Sequence, residues 1–274
     1  MVTIPPGPSS LSVEPHQARQ VAESFGSDPE RYDRTRPRYP QGLVDRVIAT
    51  SPGSEVLDVG IGTGVSAEAF QARGCRVLGV EPDERMAELA RRRGYEVEVA
   101  KFEEWDAVGR TFDAVISGQA WHWVGPVRGA AKASEVLRPG GCLALFWNVF
   151  QPPPGLAEAF AAVYRDVLPG SPFFRAAVPG MDAYSGLFDR AVDGLRESGV
   201  FAEPERSAFD WERAYNKDEW LEQVPTFGGH SNLPPGKLDE LLVGTGAAID
   251  AVGGHFTMAY TAVLLAAEVI GDDA

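Results

Sequence analysis

The stretch E-V-L-D-V-G-I-G-T-G, from Glu55 to Gly64, constrains this 274-residue chain more than any other. An apolar run reaches Asp58, breaks into glycines at Gly60, Gly62 and Gly64, and passes into a helical pattern. Without a Cβ, those glycines permit a tight turn and a close approach of the backbone to a bound molecule. The helix behind them points its unpaired N–H groups at the same place. A strand, a glycine turn and a helix in that order predict a nucleotide-type site at the carboxyl edge of an α/β sheet.

The flanking sequence repeats the alternation. Residues 56–59 read as a first strand and 65–73 as its helix. A second strand over 75–80 ends at Glu81, and a helix over 83–93 follows with Met86, Leu89 and Ala90 on one face. Asp83 and Glu84 suit the positive end of that helix. Further strands are expected over 95–99, 112–117 and 142–147, with a helix over 127–137 stopped by Pro139, Gly140 and Gly141. Strands so regularly spaced and so uniformly apolar form a parallel sheet covered on both faces.

Beyond Asn148 the rhythm changes. One helical face carries Leu156, Phe160, Val163, Tyr164 and Val167, and a second carries Tyr184, Leu187, Phe188, Ala191 and Leu195, with a broken loop over 169–180 between them. Residues 201–211 return to the sheet, 217–223 and 235–251 read as helices, and 255–266 as a last long strand. The expected organisation is a flexible lead-in (1–20), a core with an N-terminal arm (21–150), a helical cap or insertion (151–200) and a completion of the sheet (201–274). In the arm, Phe25, Tyr32 and Tyr39 could pin the segment to the domain, while Tyr32 or Arg36 could equally lie near the ligand as part of the substrate pocket.

Composition closes off other classes. The chain carries 39 acidic residues against 25 Lys and Arg, a net charge of −14. That balance argues against a general nucleic-acid backbone binder, which needs a basic footprint. Two cysteines, Cys75 and Cys142, lie in apolar stretches and read as buried free thiols of a reducing compartment, with a disulfide as the lesser alternative. No apolar run approaches the roughly 18 residues of a membrane span, so a soluble, cytoplasmic protein with no membrane partner is expected. His16, His230 and His255 make no metal-ligand spacing with Cys or acid, so no metal is inferred.

Three ligands compete for the glycine turn. A phosphate-binding P-loop needs a lysine that does not follow here. A dinucleotide fingerprint places its third glycine at the sixth position, where this chain has Val65. Glu81 lies where an acid would take ribose hydroxyls, which are two donors matched to one carboxylate. The acid indicates ribose without distinguishing the cofactor.

The ordered set of E-V-L-D-V-G-I-G-T-G, the acid of G-V-E-P, F-D-A-V-I-S and E-V-L-R-P-G-G-C-L-A-L-F resembles the class I S-adenosylmethionine-dependent methyltransferases. Y-D-R-T-R-P-R-Y-P and G-Q-A-W-H-W-V are similar to the small-molecule branch that includes trans-aconitate methyltransferase-like proteins. The resemblance extends from about residue 25 to 150 and partly returns in the last strand. It implies a Rossmann-like, doubly wound α/β fold: a seven-stranded, mostly parallel sheet with an antiparallel final strand and an inserted helical cap.

The resemblance also implies roles. S-adenosyl-L-methionine would be the cofactor, with Asp58, Gly60 and Gly62 behind its methionine part, Glu81 on its ribose, and Pro82 and Met86 beside its adenine. The family's adenine-binding Asp is replaced by Lys101, which cannot accept a hydrogen bond. Phe102 is then expected to pack on the adenine, and Glu103 or a backbone carbonyl to take its amine. Gln119 marks the amino-acid contacts and the methyl-transfer mouth.

His122 could orient or deprotonate a methyl acceptor, or simply fill a seam between two tryptophans. Trp121, Trp123, Trp147 and Asn148 are candidate pocket walls, as are Tyr164 and Tyr184 from the cap. Phe173, Phe174 and Phe188 add aromatic surface that could be cap core. The expected activity is methyl transfer to a small, partly apolar metabolite and not to a nucleic acid. A catalytically silent cofactor-binding scaffold and an NAD-linked oxidoreductase are the rivals.

Overall fold

The computed structural model describes residues 24–169 and 180–270. The predicted lead-in, together with Phe173 and Phe174, lies outside the described residues.

Seven strands form one sheet in the order β3-β2-β1-β4-β5-β7-β6. They are β1 (Glu55–Val59), β2 (Arg76–Glu81), β3 (Glu96–Val99), β4 (Phe112–Gly118), β5 (Leu137–Gln151), β6 (Glu205–Asn216) and β7 (His255–Glu268). The first five pair in parallel, whereas β7 runs antiparallel to both β5 and β6. The sheet is therefore Rossmann-like and mostly parallel, with the antiparallel last strand that the resemblance implied.

The helices are α1 (Pro29–Thr35), α2 (Gln41–Thr50), α3 (Ala67–Gln71), α4 (Glu84–Arg92), α5 (Pro126–Val136), α6 (Pro154–Val167), α7 (Met181–Ser198), α8 (Lys217–Gln223) and α9 (Lys237–Ala251). Local chemistry sets several boundaries. Asp83 caps α4 by accepting from the Arg85 N–H, and Arg91 and Arg92 occupy its negative end. Asn216 and Glu219 form a reciprocal capping box that starts α8 directly at the end of β6.

Strand alternation divides the core into two layers. Leu143, Leu145 and Trp147 of β5 face a cluster shared with α5 and α7, while Cys142, Ala144 and Phe146 face α2 through Leu43, Val44 and Val47. Helix α7 packs on α5, and α6 packs on α9. A third cluster, built from α6, α8, α9 and the near ends of β6 and β7, stands beyond the carboxyl edge of β5.

One strand departs from the sequence reading. Pro139, Gly140 and Gly141, read as a stop, lie inside β5. The pairing jumps from Phe112 opposite Leu137 to Ala114 opposite Cys142, so these residues form an irregularity that the ladder passes over.

Candidate active site

Strand order reverses beside β1, with β2 on one side and β4 on the other, and an open α/β sheet leaves a crevice above such a point. A cavity of about 940 Å³ occupies it, near the upper end of the roughly 300–1,000 Å³ of ligand pockets. Gly60 and Gly62, both with positive φ (72° and 57°), carry the chain from β1 across its floor. A Cβ on Gly60 would stand 2.5 Å from the Ala120 Cβ, so a side chain there would displace the turn after β4.

Glu81 ends β2 and lines the cavity. Its carboxylate accepts from the Gly62 N–H at 2.9 Å and from the Asp83 N–H at 3.0 Å. Burial nevertheless dominates and pushes its pKa up to about 7. No cation pairs with it among the described residues.

Asp58 does not reach the cavity. It is fully buried behind the loop, accepts from the Ser66 hydroxyl at 2.5 Å, and is likewise pushed up to about 7 by burial. An alternating strand that sends Val59 to the cavity floor sends its neighbour Asp58 away from it.

On the β2–β3 side, Pro82, Met86, Lys101, Phe102 and Glu103 line the cavity. Phe102 stacks on Trp105. Glu103 accepts from the Gly125 N–H at 2.7 Å, at the start of α5, and Lys101 pairs with Glu104.

Gln119 is one of two non-glycine residues with positive φ among the described residues, at 57°. Such strain persists where the surroundings fix it. Its N–H donates to the Phe146 carbonyl and its Nε2 to that of Asn148. Asn148 lines the cavity but is already engaged, donating to the Arg38 carbonyl and accepting from Trp211.

The tryptophans separate. Trp123 lines the cavity, while Trp121 and Trp147 do not and belong to the core layer under α5 and α7. Trp147 alternates with Phe146 along β5 and packs edge-on against Phe188. Neither forms the wall expected from sequence. Trp147 instead reaches the cavity through a partner: its Nε1–H donates to His122 Nδ1 at 3.4 Å. His122 itself lines the cavity, and burial lowers its pKa to about 4. A neutral ring whose Nδ1 accepts carries its proton on Nε2. His122 is thus arranged as a hydrogen-bond donor toward the cavity.

The arm delivers Tyr32 and Arg36 to the cavity wall. The Arg36 guanidinium lies over Tyr32 (4.6 Å), Phe227 (5.3 Å) and Phe25 (5.8 Å) and donates to the Thr226 carbonyl. Its Nε is buried without a partner, and no carboxylate pairs with it among the described residues. Its neighbours differ: Arg34 pairs with Glu222, Arg38 with Glu68, and Arg93 with Asp33. A small recess joins Tyr32, Arg36, Gly60, Gly62, Gln119 and Asn148.

Tyr164 and Tyr184 also line the cavity. The sequence reading missed much of the remaining wall, which is Trp220, Gln223, Phe227, His230, Thr245 and Tyr260. Trp220, Gln223 and Val224 share the face of α8 and its continuation, a helical spacing visible in sequence. Phe227 caps one short 3₁₀ turn and His230 begins the next, and such turns leave no periodic signal.

No helix among the described residues is long and apolar enough to cross a membrane. Among the described residues no group of three or more His, Cys, Asp or Glu is placed to hold a metal, and both cysteines are buried and unpaired.

Residues 56–141 match the family model described as a methyltransferase domain. An uncharacterized methyltransferase of Mycobacterium tuberculosis is 37% identical over 132 residues, covering 47% of this chain and 54% of that protein. The chain thus spans about half the length of that relative. The 27-O-demethylrifamycin SV methyltransferase of Amycolatopsis mediterranei is 33% identical over 201 residues, 68% of each chain. A solved structure from Anaeromyxobacter dehalogenans, itself assigned only provisionally as a type II methyltransferase, superposes with a TM-score of 0.61. It is 22% identical over 84% of this chain and 97% of that one, a likeness of fold. With the glycine turn, the acid ending β2 and a relative matched along two thirds of its length, the chain belongs to the class I S-adenosylmethionine-dependent methyltransferases.

Proposed function

We propose that this protein transfers a methyl group from S-adenosylmethionine to a small, partly apolar metabolite. One observation carries the reading. Two groups of opposite charge border the glycine turn without pairing to each other or to any other charged side chain among the described residues: Glu81 at the end of β2 and Arg36 from the arm. A ligand that carries a vicinal hydroxyl pair and, on a short chain beyond it, a carboxylate satisfies both, and S-adenosylmethionine has that form. Glu81 would accept from the ribose hydroxyls and Arg36 would hold the amino-acid carboxylate, a charge-assisted contact. Arg36, expected from sequence in the acceptor pocket, is thereby reassigned to the cofactor. Met86, Pro82 and Phe102 would flank the adenine, and Gly60 and Gly62 would let the backbone approach it.

When bound, the cofactor supplies an activated sulfonium methyl, which an acceptor takes by in-line displacement as the C–S electron pair stays on sulfur. The chain's own contribution is alignment and exclusion of water. Gln119, fixed by donating to two backbone carbonyls, and His122, held by Trp147, would define the mouth between the two halves of the cavity. His122 Nε2–H would orient an acceptor oxygen or nitrogen.

Incubation with methyl-labelled S-adenosylmethionine and fractionated small-molecule extract tests the reading. Label should move to a small organic product in the wild type and not in Glu81→Ala. Wild-type protein that binds the cofactor but yields neither labelled product nor S-adenosylhomocysteine would favour the silent scaffold.

A further inference from the structure

The two halves of the cavity differ in charge. Glu81, Asp83, Lys101, Glu103, Glu104 and Arg128 all line the half next to β2 and β3. Among the described residues, none of those lining the far half, beyond the end of β5, is Asp, Glu or Lys, and Arg36 stands where the halves meet. Its walls are rings: Phe160 lies parallel to Trp220 at 6.0 Å, and Phe150 parallel to Phe227 at 6.3 Å. The titratable groups there are held neutral by burial. The pKa of His230 is pushed down to about 4, and Tyr164 and Tyr260 are pushed up. Tyr164 and His230 satisfy each other at 2.9 Å, as do Tyr215 and Tyr260 at 2.7 Å.

Two polar groups in this wall, an amide oxygen and a hydroxyl, lack a partner. Gln223 is 3% exposed and Thr245 is 1% exposed, both line the cavity, and neither Gln223 Oε1 nor Thr245 Oγ1 has a hydrogen-bond partner. A threonine within a helix ordinarily bonds its hydroxyl to a carbonyl one turn back, and Thr245 in α9 does not. Buried polar groups are rarely left in this state without a reason. An amide oxygen can only accept, so its complement is a donor. A carboxylate or ammonium placed among these rings would be a buried, unpaired charge, which the chamber disfavours.

We propose that the far half of the cavity binds a neutral, ring-sized apolar body through a hydroxyl group that donates to Gln223 Oε1 and accepts from the Thr245 hydroxyl. The assignment rests on the methyltransferase reading only in naming that molecule the methyl acceptor. Acceptor choice is then set by α8 and α9, at the C-terminal side of the sheet, as well as by the insertion after β5.

Three naphthalenes test it by calorimetry at pH 7 on the full chain, with and without saturating S-adenosylhomocysteine: 2-naphthol, 2-methoxynaphthalene and 2-naphthoate. The naphthol should bind about tenfold more tightly than its methyl ether, the value of one buried hydrogen bond, and more tightly than the carboxylate. Gln223→Met and Thr245→Val should each shrink the naphthol-to-ether ratio several-fold, whereas Thr245→Ser, which keeps the hydroxyl, should preserve it. Because the ratio is read within each variant, partial loss of folded protein does not imitate the effect. Equal binding of naphthol and ether, preferred binding of the naphthoate, an unchanged ratio in both variants, or no binding of any probe would overturn the proposal. A naphthol preference in a protein that fails to bind S-adenosylhomocysteine would support the chamber and remove the methyl-transfer reading.

Discussion

At the scale of single residues, Glu81 and His122 carry opposite predictions about pH. Burial raises the Glu81 carboxyl to about 7, so below that value the free protein holds it protonated. Ribose hydroxyls donate best to the ionised acid, so binding releases a proton. Affinity for S-adenosylhomocysteine should rise with pH up to about 7, flatten above it, and lose this dependence in Glu81→Gln. Calorimetry from pH 6 to 8.5 measures it, and a flat wild-type profile would contradict the assignment. His122 is lowered to about 4 and stays neutral across the same range. His122→Gln, which keeps an N–H donor, should retain far more turnover than His122→Ala, with no titration near 6.5 in the wild-type kcat profile. Near-normal turnover in the alanine variant would reduce the ring to packing.

Single residues also show where sequence reading stops. A glycine with positive φ and an acid at a strand end announce themselves by order and spacing, so Gly60, Gly62 and Glu81 were legible. The facing of an aromatic was not. Trp121, Trp123 and Trp147 look alike in sequence, yet a 3₁₀ turn and the alternation of β5 send the first and last into the core. The reach of Trp147 to His122 depends on two strands meeting and has no local signature.

At the scale of elements, the arm acts as a strap. Helix α1 ties to the cofactor side through Glu30 with Arg92 (2.6 Å) and Asp33 with Thr63 (2.9 Å), and to the far side through Arg34 with Glu222. The two ion pairs are half-exposed and individually contribute little. Their joint effect is to place Arg36, the cap residue ending α1, against the glycine turn. Arg36→Met should therefore weaken S-adenosylhomocysteine about tenfold while leaving 5′-methylthioadenosine, which lacks the amino-acid end, unchanged. Equal weakening of both would place Arg36 elsewhere. The strand–helix repeats were legible because each is periodic. The arm and the turns over 224–232 were not, since prolines and glycines there erase the period while long-range contacts fix the shape.

At the scale of the whole molecule, one sheet serves two tasks. Its parallel half ends in a polar, charged edge suited to a ribose and an amino acid. The antiparallel extension through β7 and β6 carries α8 and α9 to the other side of the mouth, where the wall is aromatic and neutral. A net charge of −14 coexists with this arrangement, with acids such as Glu30 and Glu98 paired to Arg92 and Arg110 at the surface. The parallel half was legible as a series of repeats. The cavity it shares with the C-terminal helices was not, because its members are separated by more than 200 residues, from Tyr32 to Tyr260.

The central claim is that the crevice between β1 and β4 accepts S-adenosylmethionine in preference to other ribose-bearing cofactors. Calorimetric titration with S-adenosylhomocysteine and with NAD, on the wild type and on a Glu81→Ala variant of unchanged Tm, tests it most directly. The account predicts one saturable site for S-adenosylhomocysteine that Glu81→Ala abolishes, and no heat with NAD. Saturable binding of NAD in its place, or full affinity for S-adenosylhomocysteine in the folded variant, would contradict it.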